Sequence, residues 1–367
     1  MIIKNGLVLG EDFTFSKRDL YISSAHQIIP EPEGGDENIV DAQGLYVLPG
    51  LVDVHIHGAM GCDFCDGSAE GLSQIASYLH ACGVTSFCPT SMTLPEQQLS
   101  DIFKTVTEVP EDSGHSHIPG IHMEGPFLSS AKKGAQKESH LHHPDSEMFR
   151  RLNRVCGEKI RLVTIAPELP GAYEFILELH NETSISLGHS TASYDTAYKA
   201  FQAGANHVTH LFNAMPPFLH RDPGIIGAAV DSEHVMAELI CDGIHIHPSV
   251  IRSAFQLFGD DRIILISDAM RATGMADGEY ELGGQMVTKK GRRAALADGT
   301  IAGSATNLFD CMRNAVSFGI PLPSAVKAAS FNPAKSIGAE RSIGSLACGL
   351  EADVLLADKN LQLVRVI

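Results

Sequence analysis

No run of apolar residues in this chain approaches the roughly 20 needed to cross a bilayer, so no membrane partner is expected. Positive charge is scarce: 27 Lys and Arg stand against 44 Asp and Glu, a formal net charge of −17. Nucleic-acid binders normally present a basic face, so no nucleic-acid partner is expected either. The same imbalance requires an anionic substrate to meet Arg or His placed locally against the general field. The start, Met1-Ile2-Ile3-Lys4-Asn5-Gly6, lacks the basic and apolar segments of a secretory signal. The eight cysteines are scattered, without the spacing of a disulfide framework. Cys62-x-x-Cys65 has no second pair to complete a structural zinc site. A reduced, cytoplasmic protein is the expectation. Internal repeats and low-complexity segments are absent.

What is present is alternation. Across the middle of the 367 residues, strand-like stretches at 51–57, 84–90, 120–124, 161–166, 184–189, 207–212, 235–240 and 263–267 are separated by helix-like ones. The helix-like stretches are 69–81, 95–106, 146–155, 172–180, 193–203 and 248–258. Eight strands alternating with helices predict an α/β fold, a (β/α)8 TIM-like barrel over 49–343. Both ends, 1–48 and 344–367, read as short strands and turns without helical periodicity. They predict one small β-sandwich domain assembled from the two termini. The basic run Lys289-Lys290-Gly291-Arg292-Arg293 reads as a solvated turn in an inserted hairpin.

The chain is organised around Leu48-Pro49-Gly50-Leu51-Val52-Asp53-Val54-His55-Ile56-His57-Gly58. Residues 51–57 are apolar on both faces, as suits a central barrel strand. His55 and His57 stand two apart, so both imidazoles point to one side. That is half of a metal site, or simply a polar strand end. Catalytic groups of a barrel gather where strands pass into the following loops. There the sequence places Glu124, His189, His210 and Asp268 as well. Singly, each reads as a cap or a hydrogen-bonded core residue; jointly they define one rim. Neutral His and carboxylate ligands suit a divalent zinc or iron(II) ion with an open water position.

The rim pattern resembles the amidohydrolase superfamily of metal-dependent barrel hydrolases. The segments 49–58, His122-Met123-Glu124-Gly125-Pro126-Phe127, Lys132-Lys133-Gly134-Ala135, Gly188-His189-Ser190, Thr209-His210-Leu211-Phe212-Asn213-Ala214-Met215, Asp242-Gly243-Ile244-His245 and Ser267-Asp268-Ala269 are similar, more narrowly, to the N-acetylglucosamine-6-phosphate deacetylase family. This resemblance covers nearly the whole chain and implies metal-dependent removal of acetyl from a phosphosugar in amino-sugar catabolism. Many binuclear relatives bridge two metals with a lysine at the end of strand four. The 161–168 segment ends in Ala166-Pro167-Glu168, which leaves Glu124 as the available carboxylate. The resemblance implies that Glu124, His189 and His210 hold the principal metal and that Asp268 moves the protons. His55 and His57 would complete a second metal position, so one or two ions are expected. Asn213 and Ala214, with Arg221, would receive the phosphate. Asp242, Gly243, Ile244 and His245, and the turn Ile301, Ala302, Gly303, would line the sugar and acetyl group. The family draws phosphate contacts from a neighbouring subunit, which implies a homodimer. Ala135 and Gln136 also fall to the substrate, and here the chain departs from the pattern. Where some members carry a histidine that polarises the carbonyl, this chain has Gln136, which can donate a hydrogen bond but carries no charge. The alternatives are another amidohydrolase, such as a cyclic amidase or deaminase, and a non-catalytic barrel scaffold.

Overall fold

The computed structural model describes residues 1–34, 38–110 and 114–367. Eight strands lie in one sheet in chain order, every neighbour parallel: β1 (Leu51–Ile56), β2 (Val84–Ser91), β3 (Ile121–Glu124), β4 (Ile160–Ile165), β5 (Ser184–Leu187), β6 (His207–Val208), β7 (Met236–Ile240) and β8 (Ile263–Ile266). β1, β2, β3, β7 and β8 are buried along their whole length. That is why their sequences run apolar without alternating. The sheet curls until β8 meets β1. The His57 and Gly58 N–H groups donate to the Ala269 carbonyl at 2.8 and 3.0 Å, and the Asp268 N–H donates to the His55 carbonyl at 2.9 Å. Asp53 Oδ1 accepts N–H bonds from both His55 and Ser267, each 3.3 Å. This is the expected barrel.

The helices form where the amphipathic period places them. In α1 (Ala69–Ala81) the buried residues Leu72, Ile75, Ala76 and Leu79 repeat at three and four and pack against the sheet. Each fully buried aliphatic side chain of that stripe is worth about 1.5–3 kcal/mol. Ser68 caps it by accepting the Gly71 N–H, and Asp145 and Ser193 do the same for α3 (Ser146–Val155) and α5 (Tyr194–Gln202). α2 (Glu96–Thr105), α4 (Ala172–Leu179) and α7 (Pro248–Phe258) also lie where expected. His247, a loop residue with no evident task in the sequence, caps α7 by accepting the Ser249 N–H.

Two expectations are corrected. The sixth strand ends at Val208 and not at 212, because the backbone turns left-handed at His210, Phe212 and Ala214. The basic run is not wholly solvated. Three antiparallel strands, Gly278–Leu282, Gln285–Lys290 and Arg293–Ala295, form the inserted hairpin, and within them Lys289 is buried, its ammonium donating to the Met275 carbonyl.

The N-terminal segment supplies strands to two further sheets, and the C-terminal segment joins the second. One has the order Ile28–Ile29, Leu20–Ile22, Ile2–Lys4, Ile39–Asp41. The other has Leu363–Val366, Val354–Ala357, Tyr46–Pro49, Leu7–Leu9, Phe15–Lys17. Ile3, Leu20 and Ile22 from the first and Val8, Val47, Val354 and Leu356 from the second share one core, as in a sandwich. Tyr46–Pro49 feeds β1 through Gly50. A Cβ on Gly50 would lie 2.1 Å from Thr85 Oγ1, so the junction requires glycine.

Candidate metal centre

The rim where the strands end opens into a cavity of about 380 Å³, within the range of small-molecule sites. It is lined by His57, Glu124, Ala135, Gln136, His189, His210, Asn213, Ala214, His245, Asp268, Ile301, Ala302 and Gly303 among the residues expected from sequence. His55 lies fully buried beneath them. Asp242, Gly243, Ile244 and Arg221 are not among the lining residues. Asp242 is buried instead and orders the loop. Its Oδ1 accepts the Ile244 and His245 N–H groups, and its Oδ2 accepts His245 Nδ1–H at 2.7 Å. Arg221 sits on the exposed 216–223 loop beside His220.

Glu124 Oε1 lies 3.1 Å from His189 Nε2 and 3.2 Å from His210 Nε2, and those two nitrogens are 3.0 Å apart. On the other side, Asp268 Oδ1 is 3.3 Å from His57 Nε2 and 3.6 Å from His55 Nε2. Glu124 joins the halves, with Oε2 3.6 Å from His57 Nε2 and Oε1 3.5 Å from His55 Nε2. Two groups able to hold a cation result: Glu124 with His189 and His210, and Asp268 with His55 and His57.

The donor chemistry fits a divalent ion. His57 Nδ1 faces the Thr90 carbonyl at 3.1 Å and His189 Nδ1 faces the Lys132 carbonyl at 2.8 Å. A carbonyl only accepts, so both rings carry the proton on Nδ1 and turn a lone pair at Nε2 inward. His55 Nε2 is buried without a hydrogen-bond partner. Ligand atoms about 2.1 Å from one ion at tetrahedral angles stand about 3.4 Å apart, and the separations here run from 3.0 to 3.6 Å. The electrostatics agree. Burial disfavours a charge on His55, yet the carboxylates of Glu238, Glu124 and Asp268 outweigh it and raise its pKa to about 10. Burial likewise works to raise Asp268, but the His57 ring 3.3 Å away and the neighbouring imidazoles hold it down to about 2. So many buried carboxylates around one point call for positive charge at their centre, which protons on the rings supply without an ion and a bound cation would supply in their place.

Backbone strain concentrates at the same atoms. His189, His210 and Asp268 have φ of 47°, 28° and 50°, a region that side chains rarely occupy. Several supporting residues escaped the sequence reading. Glu238, in the middle of β7, binds His55 Nδ1 at 2.9 Å, and a lone carboxylate in an apolar strand was the signal for it. Thr90 and Lys132 act through backbone carbonyls, which leave no trace in sequence. Gln136 lines the cavity and is engaged by protein groups. Its Nε2–H donates to Glu124 Oε2 at 2.7 Å, while its Oε1 accepts the Thr93 N–H at 2.7 Å.

Comparison with known proteins places the chain in a family. The amidohydrolase family pattern matches residues 46–365. An N-acetylglucosamine-6-phosphate deacetylase of Bacillus subtilis is 39% identical over 324 residues, 87% of this chain and 82% of its own. The crystal structure of the Pasteurella multocida N-acetylglucosamine-6-phosphate deacetylase superposes with a TM-score of 0.92 at 28% identity, covering 100% of this chain and 97% of its own. A variant of the Mycobacterium smegmatis enzyme in complex with N-acetyl-D-glucosamine-6-phosphate gives 0.91 at 31% identity, with the same coverage. The chain belongs to the metal-dependent amidohydrolase family and, within it, to the N-acetylglucosamine-6-phosphate deacetylases.

Proposed function

We propose that this protein hydrolyses the N-acetyl group of N-acetylglucosamine 6-phosphate, giving glucosamine 6-phosphate and acetate. The observation that carries the reading is the convergence of Glu124, His189, His210, His55, His57 and Asp268 on one cavity, with the imidazole lone pairs turned inward. It is supported by relatives of that name along nearly the whole chain. We propose zinc or iron(II) as the ion, in one or two copies. A divalent cation there supplies Lewis-acid polarisation and a water that ionises near neutral pH.

Asp268, ionised and facing the cavity, takes the proton of the attacking water as the new C–O bond forms at the acetyl carbonyl. It then returns that proton to the amide nitrogen as the C–N bond breaks, so the amine leaves neutral. Glu124 holds the two halves of the centre together. Asn213 and Ala214 receive the phosphate through their backbone, and His245, oriented by Asp242, meets a sugar hydroxyl. Ile301, Ala302 and Gly303 enclose the acetyl end. We further propose that the protein works as a cytoplasmic homodimer. The termini, 1–48 with 344–367, then form a unit separate from the 49–343 barrel, a division supported by their shared core.

The test is acetate release from N-acetylglucosamine 6-phosphate and from the unphosphorylated sugar, with metal counted on the same preparation. Turnover is expected on the phosphorylated sugar alone. Asp268→Asn should lower it about 10²–10⁴-fold while the Glu124 position still fills. A filled centre with no acetate released from either sugar would remove the deacetylase reading and favour another amidase. An empty centre and no hydrolysis would favour the scaffold.

A further inference from the structure

Behind the centre lies a second layer of buried polar groups for which the reaction, as derived above, has no use. We propose that Glu238 is a positioning residue that makes the His55 side of the rim a built cation position and ties it mechanically to His210. The proposal rests on the reading of the rim as a metal centre.

Glu238 sits in β7 with no exposed surface. One oxygen, Oε2, accepts two bonds: His55 Nδ1–H at 2.9 Å and the backbone N–H of His210 at 2.9 Å. Because a carboxylate can only accept, the first bond fixes the proton of His55 on Nδ1 and leaves a lone pair on Nε2. That lone pair faces Glu124 Oε1 and Asp268 Oδ1 at 3.5 and 3.6 Å, too long for hydrogen bonds. Two carboxylate oxygens turned on that nitrogen call for positive charge between them, which a cation bound there supplies in place of a second proton on the ring. The second bond holds His210 in its strained backbone turn, so the same oxygen sets where the other half of the rim begins.

Glu238 is not itself arranged as a ligand, although it groups with His55 and His122. His122 has both nitrogens engaged, Nδ1 with the Val54 carbonyl at 3.2 Å and Nε2 with Thr164 Oγ1 at 2.7 Å. His55 Nδ1 is spent on Glu238. No lone pair is therefore turned toward a common point in that layer. The other oxygen, Oε1, is buried without a hydrogen-bond partner, with His207 Nδ1 3.7 Å away. A buried carboxylate half-satisfied in this way costs stability, and an apolar side chain would pack there at lower cost. What it supplies in return is orientation and basicity for a ligand ring, the role that carboxylates take behind metal-bound histidines.

The experiment equilibrates the metal-stripped full chain with Zn²⁺ at buffered free concentrations and counts bound zinc by mass spectrometry. It is run on wild type, Glu238→Gln, His55→Gln and the double variant. Wild type should take up two ions, and Glu238→Gln should weaken the second by 10–100-fold. For the second ion, the double variant should bind no more weakly than His55→Gln alone, because Glu238 acts on that ion through His55. Should Glu238→Gln fail to fold, Glu238→Asp keeps the charge but withdraws it by one methylene, and the same weakening is expected. Unchanged two-ion binding in the Glu238 variant, losses that add in the double variant, or a single ion in saturated wild type would each overturn the proposal. Acetate release by wild type is scored separately. Two zinc ions with no deacetylation would sink the proposed reaction and leave the role of Glu238 standing.

Discussion

At the scale of single residues, the sequence exposed the groups whose side chains face the cavity and concealed those that hold them. His55, His57, Glu124, His189, His210 and Asp268 were readable because strand ends carry them in one order around a rim. The Thr90 and Lys132 carbonyls that fix two tautomers were not, since any residue has a carbonyl. Gln136, which the sequence assigns to the substrate, lines the cavity while its amide binds protein groups. Its amide is committed at both ends, to Glu124 and to the Thr93 N–H. Replacing it with alanine leaves a buried N–H without an acceptor and a carboxylate with one donor fewer. Gln136→Ala should therefore cost about 1–3 kcal/mol of stability. Denaturant unfolding measures that cost, and a variant as stable as wild type would return Gln136 to the substrate.

At the scale of elements, periodicity located six helices that have both an apolar and a polar face, and left out Leu308–Ser317, Leu322–Ala329 and Phe331–Ser336 after the last barrel strand. It missed α6 (Gly224–Val230), in which six of seven residues are buried and no polar face exists to set a period. It also overran the sixth strand. The apolar residues Leu211 and Phe212 extend the pattern of Val208, but the backbone has already turned, and the Leu211 N–H donates to the Glu238 carbonyl. Nothing in a β-like pattern announces a left-handed turn at residues other than glycine or asparagine. The turn makes a prediction of its own. Ala214, at φ 50°, should tolerate glycine, since the relief of about 1 kcal/mol offsets the entropy glycine adds to the unfolded chain. Valine at the same position should destabilise by more than about 1 kcal/mol. Melting temperatures of Ala214→Gly and Ala214→Val check this, and equal temperatures would show the turn to be unstrained.

At the scale of the whole molecule, the question is how a chain of net charge −17 holds a phosphate. Among the described residues that line the cavity, Lys132 is the one lysine or arginine, and it also donates to the Met215 carbonyl at 3.3 Å. Arg221 is solvent-exposed outside the cavity, on the loop that also exposes Phe218 and Leu219. An arginine fork suits phosphate oxygens, and exposed apolar residues beside it suit a contact with another copy. If that loop reaches into the cavity of a second protomer, Arg221→Ala should raise KM for the phosphorylated sugar about 10-fold or more with little change in kcat, because one charge-assisted contact is worth about 1.5–3 kcal/mol. Subunit mixing then separates the two geometries. A protomer carrying Arg221→Ala but an intact Asp268, paired with one carrying Asp268→Asn but an intact Arg221, assembles one complete site from two defective chains. Mixing the variants should restore activity at low substrate that neither shows alone. If mixed subunits gain nothing, Arg221 serves its own protomer or none, and an unchanged KM in Arg221→Ala would leave the phosphate to Lys132 and the Asn213–Ala214 backbone alone.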